Sequence, residues 1–173
     1  MPVSSIPESI NRFTHFATLT RKAIRQESGR KLTSAGPEAR LPLVKNTLTV
    51  LIIVDGSDRI RAAGASIARA LTDRKVVVMD AADFAATDLL PVHACFIGCE
   101  KPHPSGFGEL ERVLKGINLA GRPCGLFSLA SPQAIEYLRA IVRDADFRLN
   151  PAPFLAEKSG DAGAWVADTL GRR

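Results

Sequence analysis

Residues 49–60 read TVLIIVDGSDRI. Thr49–Val54 is an unbroken β-branched and aliphatic run with no polar residue at alternate positions. A strand buried on both faces needs that pattern, and parallel sheets provide such strands. Asp55–Arg59 then supplies glycine, serine and two carboxylates, and Ile60, Ala63, Gly64, Ile67, Ala68 and Leu71 recur at helical spacing. One strand, a tight polar loop and an amphipathic helix therefore follow each other within about 25 residues, which is the opening of a βαβ unit.

The same alternation continues to the end of the chain. Lys75–Met79 (KVVVM), His93–Gly98 (HACFIG) and Pro123–Leu129 (PCGLFSL) read as strands. Phe147–Leu155 reads as a fifth, weakened by Pro151 and Pro153. Between them, Ala81–Leu90 reads as a short helix or turn ended by Pro91. Gly108–Ile117 and Pro132–Val142 read as helices, the second with proline suited to its first turn. Asp161–Leu170 reads as a last helix, ended by Gly171. The expected fold is a three-layer α/β/α sandwich on residues 48–173, and Gly36–Leu48, with Pro37 and Pro42, reads as a linker.

Residues 1–47 form an extension of different character. Arg12, Arg21, Lys22, Arg25, Arg30, Lys31, Arg40 and Lys45 face three acids, Glu8, Glu27 and Glu38. That difference equals the +5 net charge of the whole chain, because residues 48–173 carry fifteen charges of each sign. The basic balance therefore describes the extension, and the domain itself does not present the field of a nucleic-acid binder. Ile6, Ile10, Phe13, Phe16, Ala17, Thr20, Ala23 and Ile24 follow helical spacing, with Pro7 and Glu8 in the first turn. This stretch is expected to be an amphipathic helix whose apolar face docks on its own domain, on a protein partner or on a second subunit in a homodimer. An acidic membrane surface, nucleic acid or a targeting role for its basic face is the weaker expectation.

No apolar run approaches the ~20 residues of a membrane-spanning helix, and the N-terminus lacks the apolar core of a secretory signal. A cytoplasmic location is expected. Cys95, Cys99 and Cys124 are too few and odd in number for a disulfide framework. Cys95 and Cys124 fall inside strands and read as core. Cys99, beside Glu100, Lys101 and His103, is the one candidate for a reactive thiolate or metal ligand, at a spacing that matches no zinc pattern. The chain carries no phosphate-binding P-loop, nucleophile elbow or dinucleotide glycine fingerprint.

TVLIIV running into Asp55–Arg59 and a helix, HACFIG followed by the loop Cys99–Phe107, and GRPCGLFSL at Gly121–Leu129 together resemble the flavodoxin family, from Leu48 to Leu170. The resemblance implies a five-stranded parallel sheet of order 2-1-3-4-5 and a ligand, FMN, at the carboxyl ends of strands one, three and four. The family's FMN loops correspond here to Gly56, Ser57, Asp58 and Arg59, to Glu100 and His103, and to Ser128 and Ser131. Flavodoxins place three hydroxyl side chains and a glycine around the phosphate, whereas this first loop has one hydroxyl, Ser57, between Asp55 and Asp58. A carboxylate about 5 Å from a phosphate charge costs on the order of 3 kcal/mol at an effective dielectric near 20.

Arg59 and Arg61 offset part of that repulsion, and Asp58 is expected to cap the helix. The loops also offer few flat rings. Phe107 and His103 are present, Tyr137 lies more than a helical turn beyond the fourth-strand loop, and Trp165 falls on an apolar helix face. The expectation is loss of FMN and action through protein contacts as a regulatory or assembly module. The alternative is an FMN-binding electron-transfer protein or NAD(P)H-dependent flavin reductase with an atypical phosphate loop. The crevice formed by Asp55–Arg59, Cys99–Phe107 and Ser128–Ser131 is expected to remain the main concave site.

Overall fold

A computed structural model describes residues 48–158 and 161–171. The amphipathic stretch 6–25 lies outside the described residues. Strand β1 (Thr49–Val54) is central, and all five residues from Val50 to Val54 are buried. It pairs in parallel with β2 (Lys75–Asp80) on one side and β3 (Val92–Gly98) on the other. β4 (Pro123–Ser128) continues the sheet beside β3. Two short strands share its outer side, β5 (Arg148–Leu149) against Pro123–Cys124 and β6 (Phe154–Leu155) against Phe127–Ser128. The order is β2-β1-β3-β4-β5, as the resemblance to flavodoxins implies, with β6 also on β4.

The fifth position is thus one strand broken in two. Pro151 and Pro153 remove ladder donors, and Asn150 holds the break together. Its backbone N–H donates to the Cys124 carbonyl at 2.9 Å. Its side chain donates to Thr169 Oγ1 at 2.8 Å and accepts from the Ala152 N–H at 3.0 Å.

Side chains leave a strand alternately to opposite faces, so β1 feeds two cores. Val50, Ile52 and Val54 pack with Phe96, Phe127, Ile60 and Ile67 of helix α1 (Asp58–Arg69) and Val166 of α4 (Ala162–Thr169). Leu51 and Ile53 pack with Ile97, Leu126, Leu110 and Leu114 of α2 (Gly108–Leu114), and Leu138 of α3 (Pro132–Val142). Each such side chain contributes roughly 1.5–3 kcal/mol of burial before conformational entropy is subtracted.

The segment between β2 and β3 is shorter in regular structure than a crossover helix. It makes two 3₁₀ turns, Ala81–Asp83 and Ala86–Leu89. On edge strand β2, Val78 remains 42% exposed. Two glycines let large rings lie flat on the sheet. A Cβ on Gly98 would stand 2.2 Å from the Phe127 ring, and one on Gly125 would stand 2.6 Å from Trp165.

Candidate functional site at the carboxyl ends of the strands

The parallel sheet delivers three loops to one end: Asp55–Arg59 after β1, Cys99–Phe107 after β3, and Leu129–Ser131 after β4. Gly56 adopts φ +85, which turns the chain sharply after β1. The turn brings Asp55 back over its own loop, so that Oδ1 accepts the Ser57 N–H at 3.0 Å. Oδ2 reaches across to loop three and accepts the Glu100 N–H at 2.7 Å. One half-buried carboxylate therefore takes two backbone donors from the two loops that flank the site.

Ser57, not Asp58, caps α1. Its Oγ accepts the Ile60 N–H, and its backbone is extended while Asp58 is already helical. This corrects the expected cap by one residue. Asp58 sits in the first turn, where a negative charge still suits the helix dipole.

Both arginines expected to offset the carboxylates are engaged by acids. Arg59 Nη1 meets Glu100 Oε1 at 2.8 Å, and its Nη2 meets Glu157, which follows β6. Arg61 meets Asp80 at the end of β2, at 2.6 Å. The Arg59 side chain is 62% exposed, so each of its pairs contributes at most about 1 kcal/mol. Their geometric effect is larger than that, since they lay one side chain from loop one to loop three and to the segment after β6.

Aromatic groups near the site face inward. Phe107 is fully buried, and Tyr137 is 7% exposed. Tyr137 lies 6.1 Å from Phe107 and 4.5 Å from the His103 ring, which corrects the expectation that it stands apart from the loops. Its hydroxyl donates to Glu111 Oε1 at 2.5 Å. Burial first, and then that hydrogen bond, push the phenol well above its ordinary value. His103 is exposed and adopts φ +55 between Pro102 and Pro104. Trp165 packs on Phe96 and Phe154, and its Nε1–H donates to the Ala152 carbonyl at 2.7 Å. It is half-buried and packs against the core, on the apolar side its helical position implies.

The hydroxyls of Ser131 and Ser128 differ: the first is committed within the chain and the second is not. Ser131 caps α3 by accepting the Ala134 N–H at 3.2 Å. Ser128 is fully buried with no partner for its Oγ among the described residues. Cys99 is not a surface thiol. It is fully buried, its Sγ lies 4.0 Å from the Ala134 carbonyl, and burial, with Asp55 adding to it, pushes the thiol up to about 12. That removes the reactive-thiolate reading, and no cluster of three metal-ligating side chains occurs among the described residues.

Several groups that the resemblance assigns to FMN are engaged within the chain, and Ser128 Oγ is an exception. The loop N–H groups of Ser57, Ile60 and Glu100 already have acceptors, Arg59 is held by two carboxylates, and Phe107 and Tyr137 are buried. Two concavities form elsewhere. One, of about 380 Å³, lies at the amino ends of β3 and β4 between Leu90–His93 and Ala120–Pro123. A smaller one, of about 160 Å³, lies on the β1–β2 face beneath Thr87–Val92. Asp55 and Arg59 bridge the loops of the crevice expected to be the main concave site.

Sequence reading missed Asp55 as the tie between loops and Glu157 as a partner of Arg59. Asp-Gly-Ser is itself the signal for the first, because an aspartate readily accepts the N–H two residues on.

The order 2-1-3-4-5 with helices on both faces defines a flavodoxin-like fold. Solved structures with the same architecture include oxidised flavodoxin 2 from Bacillus cereus, at 15% identity and a TM-score of 0.61, covering 72% of this chain and 99% of that one. The flavodoxin of Streptococcus pneumoniae TIGR4 superposes at 12% identity and a TM-score of 0.58, covering 73% and 97%. A flavodoxin from the domain Archaea does so at 13% identity and 0.52, covering 72% and 94%. Neither protein-family models nor curated sequences match the chain. No helix among the described residues is long and apolar enough to cross a membrane.

Proposed function

We propose that the chain carries on residues 48–173 a flavodoxin-like domain that does not bind FMN, and that the whole chain acts through protein contacts, as a regulatory or assembly module that self-associates through its extension, residues 6–25. The observation that carries the loss of FMN is the Asp55 carboxylate, which accepts the Ser57 and Glu100 N–H groups from within the chain. A negative group of the protein thus lies in the loops where the family holds a phosphate, and a second anion entering there would meet its charge. The apolar stripe of residues 6–25 supports the protein-contact half, because a lone helix of that length is marginal in water without a surface to bury it.

The alternative, an FMN-binding electron-transfer protein or flavin reductase, draws on the identity of the structural neighbours, which are flavodoxins. At 12–15% identity that likeness carries the fold alone. The test is the state of the purified full chain, read by an absorbance scan and by light scattering. A colourless, self-associated protein is expected. Flavin bands in the blue would overturn the first half of the proposal, and a monomer across the working concentration range would overturn the second.

A further inference from the structure

We propose that the concavity at the amino ends of β3 and β4 binds a small monocarboxylate with an apolar body, gripped by Arg122 and His93. It lies at the opposite end of the sheet from the carboxyl-end loops, so it stands whether or not FMN binds. Its volume, about 380 Å³, is at the small end of the range for small-molecule sites.

The lining chemistry is asymmetric. Leu90, Pro91, Ala120 and Pro123 give it apolar walls, and no carboxylate lines it. Arg122 is half-buried, and one of its N–H groups donates to the Leu89 carbonyl at 2.7 Å, which fixes the guanidinium in place. Arg122 forms no ion pair among the described residues. A guanidinium partly withdrawn from water and without a counter-charge favours an anion. Its planar fork of donors matches the two oxygens of a carboxylate.

His93 supplies a second donor. Its Nδ1 accepts the Thr49 N–H at 3.1 Å, so the proton of the neutral ring sits on Nε2, and the residue is exposed. One fixed guanidinium and one imidazole N–H suit a singly charged group. A phosphate would call for further cations, and none lines the site. Leu90, 71% exposed at the rim, offers apolar surface to the remainder of the ligand.

The experiment titrates ¹⁵N-labelled full-length protein with sodium benzoate, with benzyl alcohol as the neutral isostere and inorganic phosphate as the competing anion. Saturable amide shifts are expected at Leu90, His93, Gly121 and Arg122 with benzoate, at least about tenfold weaker with benzyl alcohol and not saturable with phosphate. Arg122→Gln is expected to weaken benzoate at least about tenfold. Because that change also removes the bond to Leu89, a second variant, Ala120→Trp, fills the concavity and leaves that bond intact, and it is expected to abolish the shifts. Absence of saturable shifts at millimolar benzoate overturns the proposal. So do shifts that benzyl alcohol or phosphate reproduces, and so do shifts that persist in Ala120→Trp.

Discussion

Replacing Asp55 tests whether its carboxylate holds the two loops together. Asp55→Ala removes acceptors for the Ser57 N–H at 3.0 Å and the Glu100 N–H at 2.7 Å. Hydrogen bonds to an ionised group contribute about 1.5–3 kcal/mol each. Asp55 is only half-buried, and water can reach the freed N–H groups, so the low end applies and the expected loss is about 3 kcal/mol. For a domain of this size that is roughly 10 °C in melting temperature. Asp55→Asn keeps one acceptor oxygen but turns amide hydrogens toward the other donor, and is expected to fall about midway, near 1.5 kcal/mol. The assay is urea unfolding, where a shifted midpoint at constant slope reports stability alone. An Asp55→Ala loss below about 0.5 kcal/mol would place the variant among ordinary surface changes and refute the reasoning.

Gly98→Ala forces a Cβ to 2.2 Å from the fully buried Phe127 ring, so a loss of about 2–3 kcal/mol in urea unfolding is expected, partly recovered by adding Phe127→Leu. Burial pushes the Cys95 and Cys99 thiols up to about 12 and Cys124 well above its ordinary value, so a thiol reagent at pH 8 should leave all three unmodified until the protein is denatured. Those same thiols keep their protons in the folded state after the unfolded chain has begun to lose them near pH 9, so stability should be undiminished by them below that pH and fall as pH rises from there toward 12. Removing residues 1–40 should lower the melting temperature and reduce the oligomeric state, read by calorimetry and light scattering. Unchanged values would make the extension a free tail.

Much of the fold is legible because burial on both faces leaves a plain trace. TVLIIV, HACFIG and PCGLFSL each become a strand within a residue of where the apolar run begins and ends. β5 and β6 are not legible as two strands, since two-residue pairings carry no periodicity, and the residue that joins them, Asn150, acts through its side chain. The cap at Ser57 was a choice between two adjacent capping residues, which composition alone does not resolve.

At the site, Asp55–Arg59, Glu100 and Ser131 lie at the carboxyl end of the sheet as expected, because topology alone puts them there. The sequence did not pair Arg59 with Glu157, 98 residues away, since salt bridges between distant segments leave no local pattern. Cys99 read as a loop residue, but the pleat that buries Ile97 turns Cys99 toward the same core. Tyr137 read as distant by count along the chain, yet the inner face of α3 carries it back against His103.

The central claim, that the chain's own carboxylate has displaced the family's phosphate, is tested most directly by titrating a fixed concentration of FMN with the purified full-length protein and following flavin fluorescence. The account predicts that the emission stays unquenched through micromolar protein. Saturable quenching with a micromolar or tighter dissociation constant would contradict it.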